Sequence, residues 1–255
     1  MKEGPLDLEE GRQSENTSSL PWLLPVGDKF VLELKGSPFG HVGVFPEQAE
    51  NWERIYRLCH EGAKRLGTPI YALNLFGYTG AASLAAAAAG ADVTHLDAAR
   101  NIVTQARRNA EATETPDADL AARARKLGPT RWIVDDAPKY VKREIRRESQ
   151  YHGIILDPPS YGHGARGEVW RIARDLEPLL ENCIKLLNDS FNFVLLTGHT
   201  PGFESAKLGQ LLRQAYLKRF GSTENVRFET KPLVITSRSG ASLSAGDMAL
   251  AVMKG

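Results

Sequence analysis

The segment YALNLFGYTGAASLAAAAAGADVTHLD, Tyr71 to Asp97, decides the fold. Tyr71 to Leu75 is a short apolar run of the kind a buried parallel strand shows. Gly77-Tyr78-Thr79-Gly80 is a glycine turn, and Ala81 to Ala89 is almost entirely alanine, interrupted by Ser83 and Leu84. Alanine is the strongest helix former, and a strip of small side chains lets a helix lie close to a sheet. Gly90 stops that helix, and Val93 to Leu96 is a second apolar strand ending in Asp97. Strand, glycine turn, helix, strand and carboxylate form one βαβ unit, with any ligand at the C-terminal ends of its strands.

The same rhythm continues downstream. A helix is expected over Asn101 to Ala112 and a helical insert over Asp119 to Leu127. Trp132-Ile133-Val134 is a third strand ending in Asp135-Asp136-Ala137, followed by a helix from Pro138 to Arg147 with proline in its first turn. Gly153 to Leu156 is a fourth strand ending in Asp157-Pro158-Pro159-Ser160-Tyr161. A glycine-rich loop to Gly167 leads to a helix from about Arg174 to Leu187. Phe193 to Leu196 and Ser205 to Arg219 supply a fifth strand and another helix. Leu233 to Thr236 and Met248 to Val252 read as a terminal antiparallel pair. Upstream, Met1 to Ser19 is polar and aperiodic, and a flexible segment is expected there. Phe30 to Leu34 and His41 to Phe45 flank Gly36-Ser37-Pro38-Phe39-Gly40 and read as a β-hairpin, followed by an amphipathic helix that ends near Gly67. The expected division is 1–19 flexible, 20–68 a hairpin-and-helix extension beside the ligand mouth, and 69–255 the main domain.

Composition bounds what this fold can do. Hydrophobic residues are 42% and charged residues 25%, and the formal net charge is +1, ordinary values for a globular chain without a whole-molecule attraction for polyanions. The chain shows no membrane-spanning run and no signal-peptide core, so a soluble cytoplasmic protein is expected. Cys59 and Cys183 sit in helical patterns as small buried hydrophobes, and the six histidines have no metal-ligand spacing. Basic residues cluster at Lys142, Arg143, Arg146 and Arg147, and at Arg166, Arg171 and Arg174. The first group has acidic neighbours and reads as a solvated face.

The strand ends carry the chemistry. Asp97 can accept hydrogen bonds from both hydroxyls of a ribose. A dinucleotide site needs G-x-G-x-x-G, but here only Gly77 and Gly80 are glycine, and Phe76, Tyr78 and Thr79 crowd the turn. A nucleoside carrying an amino-acid tail suits this turn better than a pyrophosphate does. Asp135-Asp136 alone would be a helix N-cap; as the third member of an ordered series, Asp136 becomes an acceptor for an adenine amine, with the Ala137 N–H donating to the ring. Asp157-Pro158-Pro159 forces a rigid extended turn that frees carbonyls. A carboxylate, the Pro158 carbonyl and the Tyr161 ring suit a planar substrate bearing –NH₂.

Taken together these segments resemble the class I S-adenosylmethionine-dependent methyltransferases. NLFGYTG (74–80), HLD (95–97), VDDA (134–137) and ILDPPSYG (155–162) match that family's glycine, ribose, adenine and catalytic motifs in order. The resemblance runs from about Phe39 to Met253 and is strongest to bacterial large-subunit rRNA methyltransferases of the RlmI and RlmK type. Gly43 to Gln48 matches loosely a segment that borders the cofactor. The resemblance implies an α/β doubly wound, seven-stranded, mostly parallel sheet of the Rossmann-like methyltransferase kind, with a small N-terminal β-hairpin. It implies S-adenosylmethionine held by Asn74, Phe76, Gly77, Tyr78, Thr79, Gly80, Asp97, Ala98, Asp136, Ala137 and Asp157, with Asp157, Pro158 and Tyr161 catalytic and no metal. The implied substrate is a nitrogen of a base in ribosomal RNA; a protein side-chain amide and a non-catalytic RNA-binding role are alternatives.

Three departures qualify it. Cytosine C5 enzymes of the group attack with a cysteine after the fifth strand, where this chain has Leu196-Thr197-Gly198-His199. Ser160 intervenes between Pro159 and Tyr161. The substrate-recruiting modules of the rRNA enzymes have no counterpart, leaving only Trp22 to Gly40 for that role.

Overall fold

A computed structural model describes residues 22–36, 42–115, 126–164, 167–237 and 239–253. In chain order these form β1 (Trp22–Val26), β2 (Phe30–Leu34), a 3₁₀ turn (Pro46–Gln48), α1 (Ala49–Leu66), β3 (Tyr71–Leu75), α2 (Ala81–Ala88), β4 (Asp92–Asp97) and α3 (Arg100–Glu114). There follow β5 (Thr130–Val134), α4 (Ala137–Arg146), β6 (Gly153–Leu156), β7 (Tyr161–His163), β8 (Val169–Arg171), α5 (Ile172–Lys185), β9 (Phe193–Gly198), α6 (Ser205–Phe220), β10 (Val226–Thr236) and β11 (Ser242–Met253).

Seven strands make the central sheet in the order β10-β11-β9-β6-β3-β4-β5, with β11 antiparallel to both neighbours. From β3 the chain builds outward through β4 and β5, then returns to lay β6 on the other side of β3. That reversal opens a crevice above the C-terminal ends of β3 and β6.

Strand alternation divides the core. Leu73, Leu75, Ile154, Leu156, Val194 and Leu196 face α4, α5 and α6, and meet Tyr140, Leu176, Leu180, Leu212 and Tyr216. Ala72, Ile155, Phe193 and Leu195 face the opposite way, onto Ile55, Cys59, Leu84 and the alanines of α2. Small side chains on α2 also let α1 cross close above it. Both cysteines are buried, and burial pushes the Cys59 thiol up to about 12 and the Cys183 thiol higher. No helix among the described residues is long and apolar enough to cross a membrane.

An N-terminal hairpin is present, but its strands are not the two expected. Phe30–Leu34 pairs antiparallel with the preceding Trp22–Val26 around Gly27, which has φ +55°. Residues 42–45 carry no strand, and residues 37–41 lie outside the described residues. The reason is turn chemistry: Gly27-Asp28-Lys29 closes a tight turn that the sequence reading passed over for the longer glycine-proline loop. The hairpin lies on α3, where Val31 N–H donates to Thr113 Oγ1 (3.1 Å) and Glu33 N–H to Asn109 Oδ1 (2.8 Å). The helical insert expected over 119–127 falls mainly outside the described residues, and Lys126 and Leu127 are not helical. The glycine-rich loop after Tyr161 is a short hairpin, β7 paired with β8, so α5 starts earlier than expected. The terminal pair is longer than expected, running the length of β10 and β11.

Candidate active site

Two adjoining cavities occupy the crevice. The larger, about 550 Å³, is lined by Asp97 to Ala99, Asp135 to Ala137, Asp157 to Ser160, Gly162 to Gly164, Trp170 and His199, among others. The smaller, about 50 Å³, lies behind the Gly77–Gly80 turn against Gln48, Asn51, Trp52, Asn74 and Thr197. Phe45, Phe76, Tyr78 and Asp157 border both cavities and stand between them.

The glycine turn is strained and supported from below. Phe76 and Tyr78 hold φ of 57° and 49°, a left-handed conformation that costs a non-glycine residue on the order of 1 kcal/mol or more. Beneath them Asn74 Nδ2 donates to Ser83 Oγ (2.9 Å), and Ser83 Oγ lies 2.9 Å from His95 Nδ1. His95 is wholly buried, with its ring against Trp132, and burial lowers its pKa to about 3. A neutral imidazole therefore props the turn. Gly77 must be glycine because a Cβ there would come within 2.4 Å of His95 Cε1, and Gly80, at φ +92°, packs on Ala106 of α3. Gly80 borders neither cavity, so its part is packing; the other turn residues of the expected set, Asn74 and Phe76 to Thr79, do line one or both.

The carboxylates divide their tasks. Asp97 Oδ2 accepts from Tyr78 N–H (3.0 Å) and Oδ1 from Ala99 N–H (2.9 Å). Burial raises its pKa, against these backbone donors. Asp136 combines both readings of its sequence: Oδ1 caps α4 by accepting from Lys139 N–H (3.0 Å), and the residue still lines the larger cavity. Burial raises its pKa too. Asp135 is turned to structure, paired with Arg143 at 2.7 Å.

Asp157 is the most heavily contacted. Oδ1 accepts from the Thr197 hydroxyl and lies 3.4 Å from His199 Nε2, while Oδ2 lies 3.4 Å from Gln48 Nε2. Asn51 Nδ2 donates to Gln48 Oε1 (2.8 Å) and so fixes which end of that amide faces Asp157. Asn51 Oδ1 is buried with no partner, an acceptor awaiting a donor at the smaller cavity. Trp170 Nε1 donates to the Pro159 carbonyl (2.7 Å) and pins the proline turn. Among the described residues the Pro158 carbonyl, on the cavity wall, accepts no hydrogen bond.

Tyr161, expected to stack on the substrate, does not reach either cavity. It is 52% exposed, and its hydroxyl pairs with Nε2 of His163 (3.1 Å), which together with Gly162 lines the larger cavity. Phe45 lies in the Gly43 to Gln48 segment already matched to the cofactor border; sequence reasoning passed over Asn51, Trp170, Thr197 and His199. Only for the last two was there a signal, since they end the strand beside Asp157, a place inspected for cysteine alone.

The comparisons with known proteins agree with this geometry. A solved structure titled as an S-adenosylmethionine-dependent methyltransferase from Agrobacterium tumefaciens is 32% identical, with TM-score 0.77, over 94% of this chain and 72% of that one. The methyltransferase SMU.776, solved with S-adenosylhomocysteine, matches at TM-score 0.64 and 18% identity over 96% of this chain and 57% of that one. A curated relative from Hahella chejuensis named ribosomal RNA large subunit methyltransferase K/L is 34% identical over 130 residues, which is 50% of this chain and 15% of the relative. The chain thus spans a small part of the curated relatives' length. No family model matches. With the Agrobacterium likeness covering nearly the whole chain and the strand-end carboxylates in place, the chain belongs to the S-adenosylmethionine-dependent methyltransferases.

Proposed function

We propose that this enzyme transfers a methyl group to a nitrogen of an RNA base, in the large ribosomal RNA for which its curated relatives are named. The observation that carries the choice of nitrogen is the turn at the end of β6. There the Asp157 carboxylate borders both cavities and the adjacent Pro158 carbonyl has no hydrogen-bond partner among the described residues. Two acceptors side by side suit an –NH₂ group, fixing its hydrogens so that its lone pair is directed elsewhere.

The residues present fit the cofactor. Asp97 would hold the ribose hydroxyls, Asp136 and the Ala137 N–H the adenine, and the orphaned Asn51 Oδ1 the ammonium of the amino-acid tail. When bound, S-adenosylmethionine supplies an electrophilic methyl on a good leaving group, so no side chain need act as nucleophile. The chain's own contribution is position: Trp170 stiffens the proline turn, and Phe45, Phe76 and Tyr78 line the two cavities beside Asp157. Within this reading residues 69–255 form the transferase unit, and residues 20–68 an extension that lends Phe45 to the cleft wall.

A second reading, transfer to a protein side-chain amide, draws on the electrostatics of the mouth. Lys139 pairs with Glu168, Arg143 with Asp135 and Arg174 with Asp175, so much of the local positive charge is already neutralised, and a polyphosphate backbone gains little there. Arg166, of the second basic cluster in the sequence, lies outside the described residues.

The test is incubation with tritiated S-adenosylmethionine and extract from cells lacking the gene, with RNA and protein separated afterwards. Label in large ribosomal RNA supports the proposal, and its loss with Asp157→Ala assigns the carboxylate. Label confined to protein overturns the RNA reading in favour of the amide.

A further inference from the structure

The last hairpin carries an irregularity that leads to the reacting carboxylate. Along β10 and β11 the register pairs Leu233 with Gly246 and then Val234 with Ser244. Ala245 is therefore the extra residue of a β-bulge, and its carbonyl is not committed to the ladder. That carbonyl lies 2.7 Å from Nδ1 of His199, which follows directly on β9. A carbonyl can only accept, so Nδ1 carries a proton and Nε2 is the nitrogen turned to Asp157 Oδ1, at 3.4 Å. The next residue, Gly246, has φ +128°, and a Cβ there would come within 2.5 Å of His199 Nδ1. The hairpin is shaped around the imidazole ring.

We propose that His199 is a positioning residue for methyl transfer, seated by the Ala245 bulge and holding the Asp157 carboxylate as its cationic partner. The proposal rests on the reading that Asp157 faces the reacting nitrogen. The charged groups acting on the ring are Asp157 and, more weakly, Glu47, both acidic; with Asp157 contributing most, they raise the pKa of His199 to about 9 despite its partial burial. At neutral pH the pair is an imidazolium and a carboxylate. Thr197 and Gln48 complete the set of donors around the same carboxylate, so its orientation is fixed before any substrate arrives.

The pairing has an electrostatic consequence. Asp157 stands between the two cavities, where the cofactor's positive charge would be close by. While His199 is protonated, Asp157 is compensated and attracts that charge weakly. When His199 loses its proton, the full carboxylate charge is exposed to it. Cationic S-adenosylmethionine should then gain affinity relative to neutral S-adenosylhomocysteine, over and above the titration of the ligands' own ammonium groups, which a variant lacking His199 reports.

Two measurements on the full chain test this without any methyl acceptor. First, ring nitrogen–proton correlation spectra should show His199 titrating near 9 and, in Asp157→Asn, at or below the ordinary histidine value of about 6.5. Second, calorimetry between pH 7 and 9.5 should show the affinity ratio of S-adenosylmethionine over S-adenosylhomocysteine rising with pH about fivefold more in the wild type than in His199→Gln. In His199→Gln only the titration of the ligands' own ammonium groups should remain. A wild-type His199 titrating at the ordinary value, or the same pH trend in His199→Gln, would overturn the proposal. Failure to label RNA would leave both measurements intact and count only against the choice of substrate.

Discussion

The cleft is built in two different ways on its two sides. Under the Gly77–Gly80 turn the floor comes mostly from residues close in sequence: Asn74, Ser83 and His95 form one buried chain of polar contacts, with Gly77 pressed on His95 and Gly80 on Ala106, while Thr79 reaches farther, to Gly43 and Asn109. Around Asp157 the contacts come from far apart, from Gln48, Thr197, His199 and the bulge at Ala245, and the adjoining β7–β8 hairpin is largely exposed. A turn that must hold strained residues needs a rigid floor. A wall that must admit a substrate can be assembled from surface pieces, each adjustable without disturbing the core.

Glycine substitutions should expose that difference most strongly. Gly77→Ala would drive a methyl group into the fully buried ring of His95, at 2.4 and 2.5 Å from its atoms. We expect a loss of about 2–3 kcal/mol, the cost of overpacking where nothing can yield. Gly162→Ala on the substrate side meets nothing nearer than Pro159 Cγ at 3.6 Å, and should change stability by less than about 0.5 kcal/mol. Denaturant unfolding of both variants measures the contrast, and equal losses would break it.

The polar chain under the turn gives the next effect. Ser83→Ala removes the hydroxyl between Asn74 and His95 and leaves buried polar atoms unpaired, at a cost of about 1–3 kcal/mol. The same site fixes an acid response. His95 is neutral in the fold with its pKa lowered to about 3, against about 6.5 in the unfolded chain. Its contribution to stability is complete above pH 6.5 and is lost as pH falls from there towards 3, because the unfolded state takes up the proton first. His95→Gln should flatten that part of the stability profile, measured as unfolding midpoint against pH; an unchanged slope would place the acid response elsewhere.

The two sides also differ in how far sequence could disclose them. β3 and β6 have the bounds their apolar runs suggested, because a buried parallel strand must be apolar and must end where the chain turns polar. The turn follows β3 directly, Asp97 ends β4 and Asp136 comes just after β5, so local order was enough. Nothing local marks the long-range partners. Asn51 lies on an amphipathic helix, Trp170 looks like any core aromatic, and the carbonyl of Ala245 has no side-chain signature at all. The N-terminal hairpin is present, but the partner of Phe30–Leu34 was missed for a related reason: two turn candidates bracketed that strand, and the turn with fewer glycines joins it to Trp22–Val26.

Tyr161 gives the smallest expected effect and separates the two sides most finely. Its place after Asp157-Pro158-Pro159-Ser160 suggested a ring stacked on the substrate, and such stacking is worth about 1–3 kcal/mol per base. In the fold Tyr161 is half exposed and lines neither cavity, its ring against His163 at a separation of 5.1 Å, while Gly162 and His163 line the larger cavity. Tyr161→Ala should therefore leave KM for the methyl acceptor within about twofold of wild type, since an exposed pair of this kind contributes little. A rise in KM of tenfold or more would mean that β7 turns over when substrate enters. The substrate wall would then be a moving part, while the floor beneath the glycine turn stays fixed.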